Sequence, residues 1–239
     1  MKVDILVFGA HPDDIELGCT GTILKSVSEG KTVGAIDLTQ GELGTRGTAE
    51  IRRNEAEGAS KLMQLSFRKN LGFPDGFITN EKSNQLDVIA QLRTHRPEVV
   101  LCNAIKDRHI DHAKASQLVS EACFLSGLKK VETLDESGSP QEAWRPKRVY
   151  HYIQWEEIAP DFVVDISGFL DEKIKVVSAY KSQFFDPNSA APTTPISSKN
   201  FLNSVRYRAE NLGRLTGVDA GEGFTVERFP LVKSLSDLA

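Results

Sequence analysis

The sequence predicts an α/β layered fold with a mainly parallel sheet, and two observations support this prediction. Short apolar segments alternate with segments of helical periodicity along most of the 239 residues, which is the pattern of successive strand-helix units. The first apolar run, VDILVFGA at residues 3–10, is nearly continuous, as expected of a strand that is covered on both faces. Helices on both sides of a parallel sheet would produce both features.

The predicted elements follow in order along the chain. After the first strand, apolar positions recur at helical spacing from Thr20 to Val27, and Gly30 ends this helix. TVGAIDLTQG at 32–41 is the second strand, and TAEIRRNEAEGASKLMQL at 48–65 is rich in helix formers. The remaining elements are a helix at 85–95, a strand at 98–104, a helix at 111–125, strands at 148–154 and 162–167, and helices at 170–182 and 204–216.

Composition and charge narrow the class of protein. The chain has 40% hydrophobic and 26% charged residues and a net charge of −4, as in an ordinary soluble protein, and no long basic block suggests a nucleic-acid partner. No apolar run approaches the roughly 20 residues of a membrane span, and the N-terminus lacks a signal-peptide pattern, so we expect no membrane partner and a cytoplasmic location. The three cysteines lack C-x-x-C spacing, which favours reduced thiols in the core.

We expect a single domain over residues 1–239, since no segment has the length and composition of an interdomain linker. Residues 184–200, FFDPNSAAPTTPISSKN, form a long irregular segment that is dense in Pro, Ser, Thr and Ala. In a compact domain such a segment is a functional lid or is poorly ordered, and it could also pack on a neighbouring subunit. DESGSPQEAWRPKR at 135–148 is a second predicted loop, at the surface.

Directly after the first strand comes an unusual concentration of histidine and aspartate, in VFGAHPDDIELG at 7–18. Pro12 keeps His11 extended and is suited to beginning a helical turn. After that bend Asp14, three residues on, can turn back to the side that His11 faces, because residues three apart share a face in a helical turn. His11 and Asp14 are therefore predicted to converge on one point, with Asp13 beside it.

A second loop, DRHIDH at 107–112, repeats this spacing after the strand at 98–104. His109 and His112 are three residues apart, and Asp111 between them could cap the following helix or support a ligand histidine. Loops that follow parallel strands gather at one edge of the sheet, where such folds bind ligands. The two loops are therefore expected to meet.

Two imidazoles and one carboxylate suit zinc, and three protein ligands leave a fourth position for water. The spacing predicts one Zn²⁺ per chain on His11, Asp14 and His112. Asp13 would lie next to the water as general base, and His109 would stabilise the oxyanion and protonate the leaving group. This is the chemistry of metal-assisted amide hydrolysis.

Each loop alone would also fit a helix cap with solvated charges, and it is their combination that favours a metal site. His95 and His151 stand alone in a predicted helix and a predicted strand, and we expect them to be structural. A protein that binds a nucleotide or sugar at the same sheet edge without catalysis is an alternative from another class. No G-x-G-x-x-G follows the first strand, however, and this alternative would leave Asp13 and His109 without a role.

AHPDDIELGCTGT at 10–22 resembles the AHPDD-x-E-x-x-x-G-G signature of the PIG-L family of N-acetylglucosaminyl de-N-acetylases, and HIDH at 109–112 resembles the family's second metal motif, H-x-D-H. The likeness continues through GELGTRGTAEIRRNEA and LGFPDG and covers about the first half of the chain. NLGRLTGVDAGEGF is similar to the tail of bacterial members, and Cys19-Thr20-Gly21 departs from the usual paired glycines.

The resemblance implies a Rossmann-like three-layer sandwich and the same assignment of ligands, base and catalytic histidine. It also implies that Arg52 lies near the substrate pocket, where a guanidinium suits sugar hydroxyls or a carboxylate. The alternative for Arg52 is a solvated helix arginine paired with Glu55. Several bacterial members form homo-oligomers, often hexamers, and we expect the same here.

The branch that the sequence resembles most removes acetate from N-acetylglucosaminyl-malate in bacillithiol biosynthesis. Malate carries two carboxylates, so its pocket should contain more than one cation, and Arg46 is a candidate besides Arg52. Further candidates are Arg53, Arg108, Arg206 and Arg208. The same chemistry on an N-acetylglucosamine conjugate of inositol, a chitin oligomer or an antibiotic intermediate stays open as an alternative.

Overall fold

Seven strands, described within residues 1–237 of the computed structural model, form one sheet. They are β1 (Ile5–Gly9), β2 (Val33–Thr39), β3 (Phe67–Phe73), β4 (Val99–Cys102), β5 (Arg148–Tyr152), β6 (Phe162–Asp165) and β7 (Gly221–Val226). Their order across the sheet is β3-β2-β1-β4-β5-β7-β6. The first five pair in parallel, and β7 runs antiparallel to both β5 and β6. The predicted mainly parallel sheet is confirmed.

Helices cover both faces of the sheet. They are α1 (Asp14–Ser28), α2 (Ala49–Leu62), α3 (Lys82–His95), α4 (Ile110–Ser126), α5 (Leu170–Val177) and α6 (Lys199–Thr216), followed by a short 3-10 helix at Leu235–Asp237. Leu6 and Phe8 of β1 pack with α3 and α4, whereas Val7 packs with α1, α2 and α5. Successive strand residues face opposite sides, so β1 contributes to both cores. The result is the predicted three-layer sandwich.

Two strands of the sheet were not predicted. β3 is an edge strand of sequence FRKNLGF, and its polar residues hide the apolar alternation. β7, GEGFTV, carries two glycines, which are uncommon in strands. A Cβ on Gly221 would come within 2.4 Å of the side chain of Val163, so the close approach of β6 requires glycine there.

Helix α1 begins at Asp14, six residues before the predicted start, and is kinked at Cys19, whose φ and ψ are −145° and 20°. Directly after the kink, the N–H groups of Gly21 and Thr22 both donate to the carboxylate of Glu222, at 2.9 and 2.7 Å. Glu222 belongs to β7, so a residue 200 positions away restarts the helix. The predicted start at Thr20 corresponds to this second part of α1.

Within residues 1–237, none of the helices is long and apolar enough to cross a membrane. The three cysteines are free and buried. Cys19 lies in one hydrophobic core, and Cys102 and Cys123 lie in the other, as small core residues should.

Candidate metal and catalytic site

A cleft of about 530 Å³ lies where the loops that follow β1 and β4 meet. These two strands are neighbours in the sheet, and the chain order reverses between them, since β2 and β3 extend the sheet on one side and β5 on the other. Ligands of open α/β sheets bind at such a switch point, outside the carboxyl ends of the strands. Both loops singled out in the sequence line this cleft.

The first loop turns sharply between β1 and α1. Asp13 has φ 116° and ψ −20°, a left-handed conformation that side chains rarely adopt and that is often found at functional sites. The turn lets the N–H of Asp14 donate to the carbonyl of His11 at 3.2 Å, while the N–H of His11 donates to the carboxylate of Asp14 at 2.9 Å. As the spacing predicted, His11 and Asp14 converge, with Nδ1 and Oδ2 3.5 Å apart.

The second loop brings His112 to the same point from the first turn of α4. Its Nε2 lies 3.1 Å from Oδ1 of Asp14, and its Nδ1 lies 2.7 Å from Oδ2 of Asp107. The ring centroids of His11 and His112 are 5.5 Å apart, and one ring nitrogen from each of His11, His109 and His112 lies within 4.8 Å of the others. Two imidazoles and a carboxylate from separate loops are therefore close enough to share one ion.

His109 precedes α4 and presents one ring nitrogen to the cleft. Its Nδ1 accepts a hydrogen bond from the N–H of Asp111 at 3.3 Å, so in the neutral ring the proton belongs on Nε2. Burial, with the charges of His11 and His112, lowers the pKa of His109 and favours this neutral form. The ring is thus set up as a hydrogen-bond donor.

Asp13 and Arg52 form a buried pair at the floor of the cleft. Nη2 of Arg52 donates to Oδ2 of Asp13 at 3.0 Å and to the carbonyl of Pro12, and Nη1 donates to the carbonyl of Gly41 at 3.2 Å. Gly41 has φ +66°, and a Cβ there would meet Nη1 at 2.1 Å, so glycine is required where the loop crosses the guanidinium. Burial raises the pKa of Asp13 to about 7, against the lowering effect of Arg52.

Arg52 does not pair with Glu55, whose carboxylate instead accepts from the backbone and hydroxyl of Ser182 at 2.7 and 2.6 Å. The solvated helix pair offered as the alternative for Arg52 is therefore absent from the described residues. Arg52 is only 5% exposed and lines the cleft together with Asp13.

The second ring nitrogen of His11, Nε2, lies close to two further carboxylates. This nitrogen lies 3.1 Å from Oδ1 of Asp75 and 3.3 Å from Oδ2 of Asp111. Asp111 also accepts from the N–H of Gly76 at 2.7 Å, so its side chain supports a histidine of the first loop and does not cap α4. Asp75 and Asp107 were not singled out in the sequence, although each is an aspartate that follows a strand at this edge.

The charges around His11, Asp14 and His112 indicate whether a cation fits between them. Burial opposes protonation of His11 and His112, yet the carboxylates around them outweigh it, raising the pKa of His112 to about 9 and that of His11 well above its ordinary value. His112 together with His11 in turn holds the pKa of Asp14 well below its usual range despite burial. Without a metal, the site thus retains positive charge as protons on two buried imidazoles. A divalent cation supplies the same charge, and the donor set of nitrogen and carboxylate oxygen suits Zn²⁺.

The outer wall of the cleft comes from the long loop between α5 and α6. Residues 193–196 line the cleft, which is the position that a lid would take among the alternatives left open for residues 184–200. The rings of Phe184 and Phe201 stack with centroids 5.9 Å apart and bring the two ends of the segment together, as in an Ω-loop. The middle is tied down where Nη2 of Arg46 donates to Oγ of Ser189 at 2.7 Å.

Besides Arg52, two arginines of the cleft have guanidinium nitrogens without a partner among the described residues. Arg46 is 5% exposed, and its Nε is buried without a hydrogen-bond partner among the described residues. Arg108, at the rim, lies over the ring of Trp155 at 4.7 Å, and within residues 1–237 its guanidinium has no ion pair. Trp155 stacks in turn on Phe201, with ring centroids 5.3 Å apart.

His95 and His151 lie outside the cleft. His95 stacks on Phe67 at 4.0 Å and approaches the carbonyl of Met1 at 2.8 Å. His151 is buried between the hydroxyl of Ser116 at 2.8 Å and the carboxylate of Glu227 at 3.1 Å. Both have structural partners, in keeping with the expectation for them.

Part of the chain matches a known protein family. Residues 6–123 match the PIG-L family, described as GlcNAc-PI de-N-acetylase. The matched segment contains both loops of the cleft. It ends within α4, so the later strands and the loop between α5 and α6 lie beyond it.

Relatives and solved structures extend the likeness. The chain is 27% identical over 191 residues to a diacetylchitobiose deacetylase of Thermococcus kodakarensis, covering 75% of this chain and 70% of that protein. It is 30% identical over 125 residues to an uncharacterized deacetylase, YaiS, of Escherichia coli, covering 50% of this chain and 67% of that protein. The crystal structure of the conserved protein TT1542 from Thermus thermophilus matches with a TM-score of 0.86 and 36% identity, over 98% of each chain.

Proposed function

Since the chain belongs to the PIG-L family and is a de-N-acetylase that hydrolyses amide bonds, we propose that it is zinc-dependent and acts on a small N-acetylglucosamine conjugate. The convergence of His11, Asp14 and His112 on one point is the observation that carries this proposal. Asp13 and His109 beside them give the site a base and a donor in addition to ligands.

His11, Asp14 and His112 would hold the ion, one per chain. When bound, the cation supplies Lewis acidity, which polarises the acetamide carbonyl and lowers the pKa of water. Asp107 and Asp111 orient the two imidazoles, as carboxylates commonly do for ligand histidines.

In the hydrolysis, the carboxylate of Asp13 takes a proton from the attacking water while the oxygen of that water forms a bond to the acetyl carbon. Nε2–H of His109 donates to the oxygen that gains negative charge. The C–N bond then breaks, and the leaving amine takes the proton from Asp13, which gives acetate and a free amino sugar. In this proposal Asp13, and not His109 as expected from the sequence, protonates the leaving amine, because Nδ1 of His109 is engaged with the N–H of Asp111, which disfavours the doubly protonated ring that a histidine acid needs. Arg52 holds Asp13 in reach of the water.

For the rest of the substrate we propose N-acetylglucosaminyl-malate. Arg46 and Arg108 support this choice, since both line the cleft and neither has a carboxylate partner within residues 1–237. A guanidinium binds a carboxylate through a fixed fork of donors, and malate would bring two carboxylates.

Diacetylchitobiose is the second candidate, because the relative from Thermococcus kodakarensis is named for it. An aromatic platform such as Trp155 could stack on the second sugar. The ring of Trp155 is already covered by Arg108 and Phe201, so a sugar would have to compete with the guanidinium.

Acetate release from the malate conjugate, the inositol conjugate and diacetylchitobiose, measured side by side with zinc-loaded enzyme, tests the proposal. We expect kcat/KM to be highest for the malate conjugate and Arg108→Gln to lower it at least tenfold for that substrate only. Faster cleavage of diacetylchitobiose would refute the choice of malate. No zinc-dependent acetate release from any of the three would refute the proposed function itself.

We also propose that the chain forms a homo-oligomer. Leu43 and Phe77, on the loops that follow β2 and β3, and Ile110, the first residue of α4, are 64%, 68% and 61% exposed. Large apolar side chains that are this exposed favour association with another protein surface. Light scattering coupled to size-exclusion chromatography tests this, and a monomeric mass would refute it.

A further inference from the structure

Two buried amides surround the carboxylate of Asp14, and neither has a role in the site so far. Asn103 follows β4 and is fully buried, and Gln154 follows β5 and is 7% exposed. Together with Asp14 they close a ring of three hydrogen bonds that joins the ends of three neighbouring parallel strands.

The orientation of both amides follows from one backbone group. The N–H of Ala10 donates to Asn103 at 2.8 Å, so the atom that faces it must be the carbonyl oxygen Oδ1. Both hydrogens of Nδ2 are then directed elsewhere, one to Oδ2 of Asp14 and one to Oε1 of Gln154, each at 2.9 Å. Since Oε1 of Gln154 accepts, its Nε2 is the atom that donates to Oδ1 of Asp14, at 2.8 Å. No member of the ring can flip without leaving a buried donor facing a donor.

The ring makes the two oxygens of Asp14 unequal. Oδ2 accepts from the N–H of His11 at 2.9 Å and from Asn103, which occupies both of its lone pairs. Oδ1 accepts from Gln154, and its second lone pair is on the side where Nε2 of His112 lies, 3.1 Å away. Oδ2 is held by hydrogen bonds from the scaffold, and Oδ1 is held facing His112.

We infer that Asn103 and Gln154 are positioning residues that hold Asp14 so that Oδ1 alone is offered to the cation. This inference rests on the proposed function, because it takes Asp14 as a metal ligand. Groups that orient a metal ligand typically change metal affinity about 10–100-fold when they are removed.

The test replaces Gln154 with a side chain of similar size that cannot donate. In Gln154→Met, we expect the dissociation constant for Zn²⁺, measured by competition with a chromophoric chelator, to rise by about 10–100-fold. The visible spectrum of the Co²⁺-substituted protein should change as well, because Asp14 becomes free to turn. Gln154→Asn, whose amide is one methylene short of Asp14, serves in the same way if the Met variant does not fold.

The matched control is Gln141→Met. Gln141 likewise makes two side-chain hydrogen bonds, both donated by Nε2, to the carbonyl of Ala90 at 3.0 Å and to Thr94 at 2.8 Å, but it lies outside the cleft. We expect it to lower thermal stability without changing Zn²⁺ affinity or the Co²⁺ spectrum.

Failure of this inference and failure of the proposed function would give different results. Unchanged Zn²⁺ affinity and an unchanged Co²⁺ spectrum in a folded Gln154 variant would overturn the inference alone, as would a rise in KM with metal affinity intact, which would make Gln154 a substrate contact. A wild-type protein that takes up no zinc would overturn the proposed function and this inference with it.

Discussion

Zinc binding to the metal-free protein should release about two protons more than ordinary histidines would release. A histidine must be neutral to ligate a metal, so any proton on its ring nitrogen has to leave. Contacts with Asp14 and Asp107 outweigh burial and raise the pKa of His112 to about 9, and Asp111 and Asp14 do the same for His11. Both rings are therefore protonated in the metal-free protein at neutral pH.

The expected number follows from these pKa values. At pH 8 a ring with a pKa of about 9 is roughly 90% protonated, whereas a ring with the ordinary pKa of 6.5 is about 3% protonated. The His112 ring therefore releases about 0.9 proton, and the His11 ring, whose pKa is also raised well above the ordinary value, releases up to about one more, against less than about 0.1 for two ordinary rings. Water on the ion adds at most about one proton in either case. The totals to compare are about three and about one.

Isothermal titration calorimetry at pH 8 in buffers of different ionisation enthalpy counts these protons. Asp107→Asn removes the carboxylate 2.7 Å from Nδ1 of His112 but keeps a side-chain acceptor, and it should lower the count by up to about one. Because the raised pKa values make protons compete with zinc, zinc affinity should rise with pH up to at least the pKa of about 9 of His112. A count near one in the wild type, or no dependence of affinity on pH below 8, would refute the assignment of these histidines as carboxylate-paired ligands.

Three further predictions concern the base and its support. Asp13→Asn should retain zinc, because Asp13 is no ligand, while kcat falls by about 10²–10⁴, as seen in paired acetate-release and zinc-content assays. Arg52→Lys keeps the charge but loses the fork that bridges Asp13 and Pro12, so kcat should fall with little change in KM, and a change in KM alone would contradict this. Gly41→Ala places a methyl group 2.1 Å from Arg52 and should lower both activity and the free energy of unfolding, whereas Gly30→Ala, also at positive φ but with nothing within 4 Å, should lower only stability, by about 1–2 kcal/mol.

The sequence predicts the part of the site that lies within short stretches of chain. His11 and Asp14 are three residues apart, and so are His109 and His112, so one helical turn is enough to bring each pair to one side. The parallel strands before them fix the edge of the sheet at which both pairs lie. This is why the layered fold and the meeting of the two loops could be predicted from the sequence alone.

The remaining parts depend on contacts between distant residues, which carry no local signal. Asn103 and Gln154 follow strands like many other polar residues, and only the neighbouring positions of β1, β4 and β5 bring them to Asp14. Glu222 restarts α1 from a strand that the sequence pattern did not indicate. Sequence spacing can predict which residues meet within one helical turn. Contacts between residues on different strands can be predicted only when the strand order of the sheet is known.

Glu16, the third acid in the segment 7–18, has a structural role because helical geometry directs its side chain away from the cleft. Successive residues of a helix are rotated by about 100°, so Glu16, two positions after Asp14 in α1, must point to roughly the opposite side. There its Oε1 accepts from Nη1 of Arg68 at 2.5 Å and from the hydroxyl of Tyr180 at 3.1 Å, deep between α1 and the edge of the sheet. Arg68 pairs with Asp37 of β2 as well, at 2.7 Å, so the acid ties the base of the catalytic loop to β2 and β3. The acids that cluster in the sequence therefore divide by helical phase: Asp13 and Asp14 serve the cleft, and Glu16 anchors the helix that carries them.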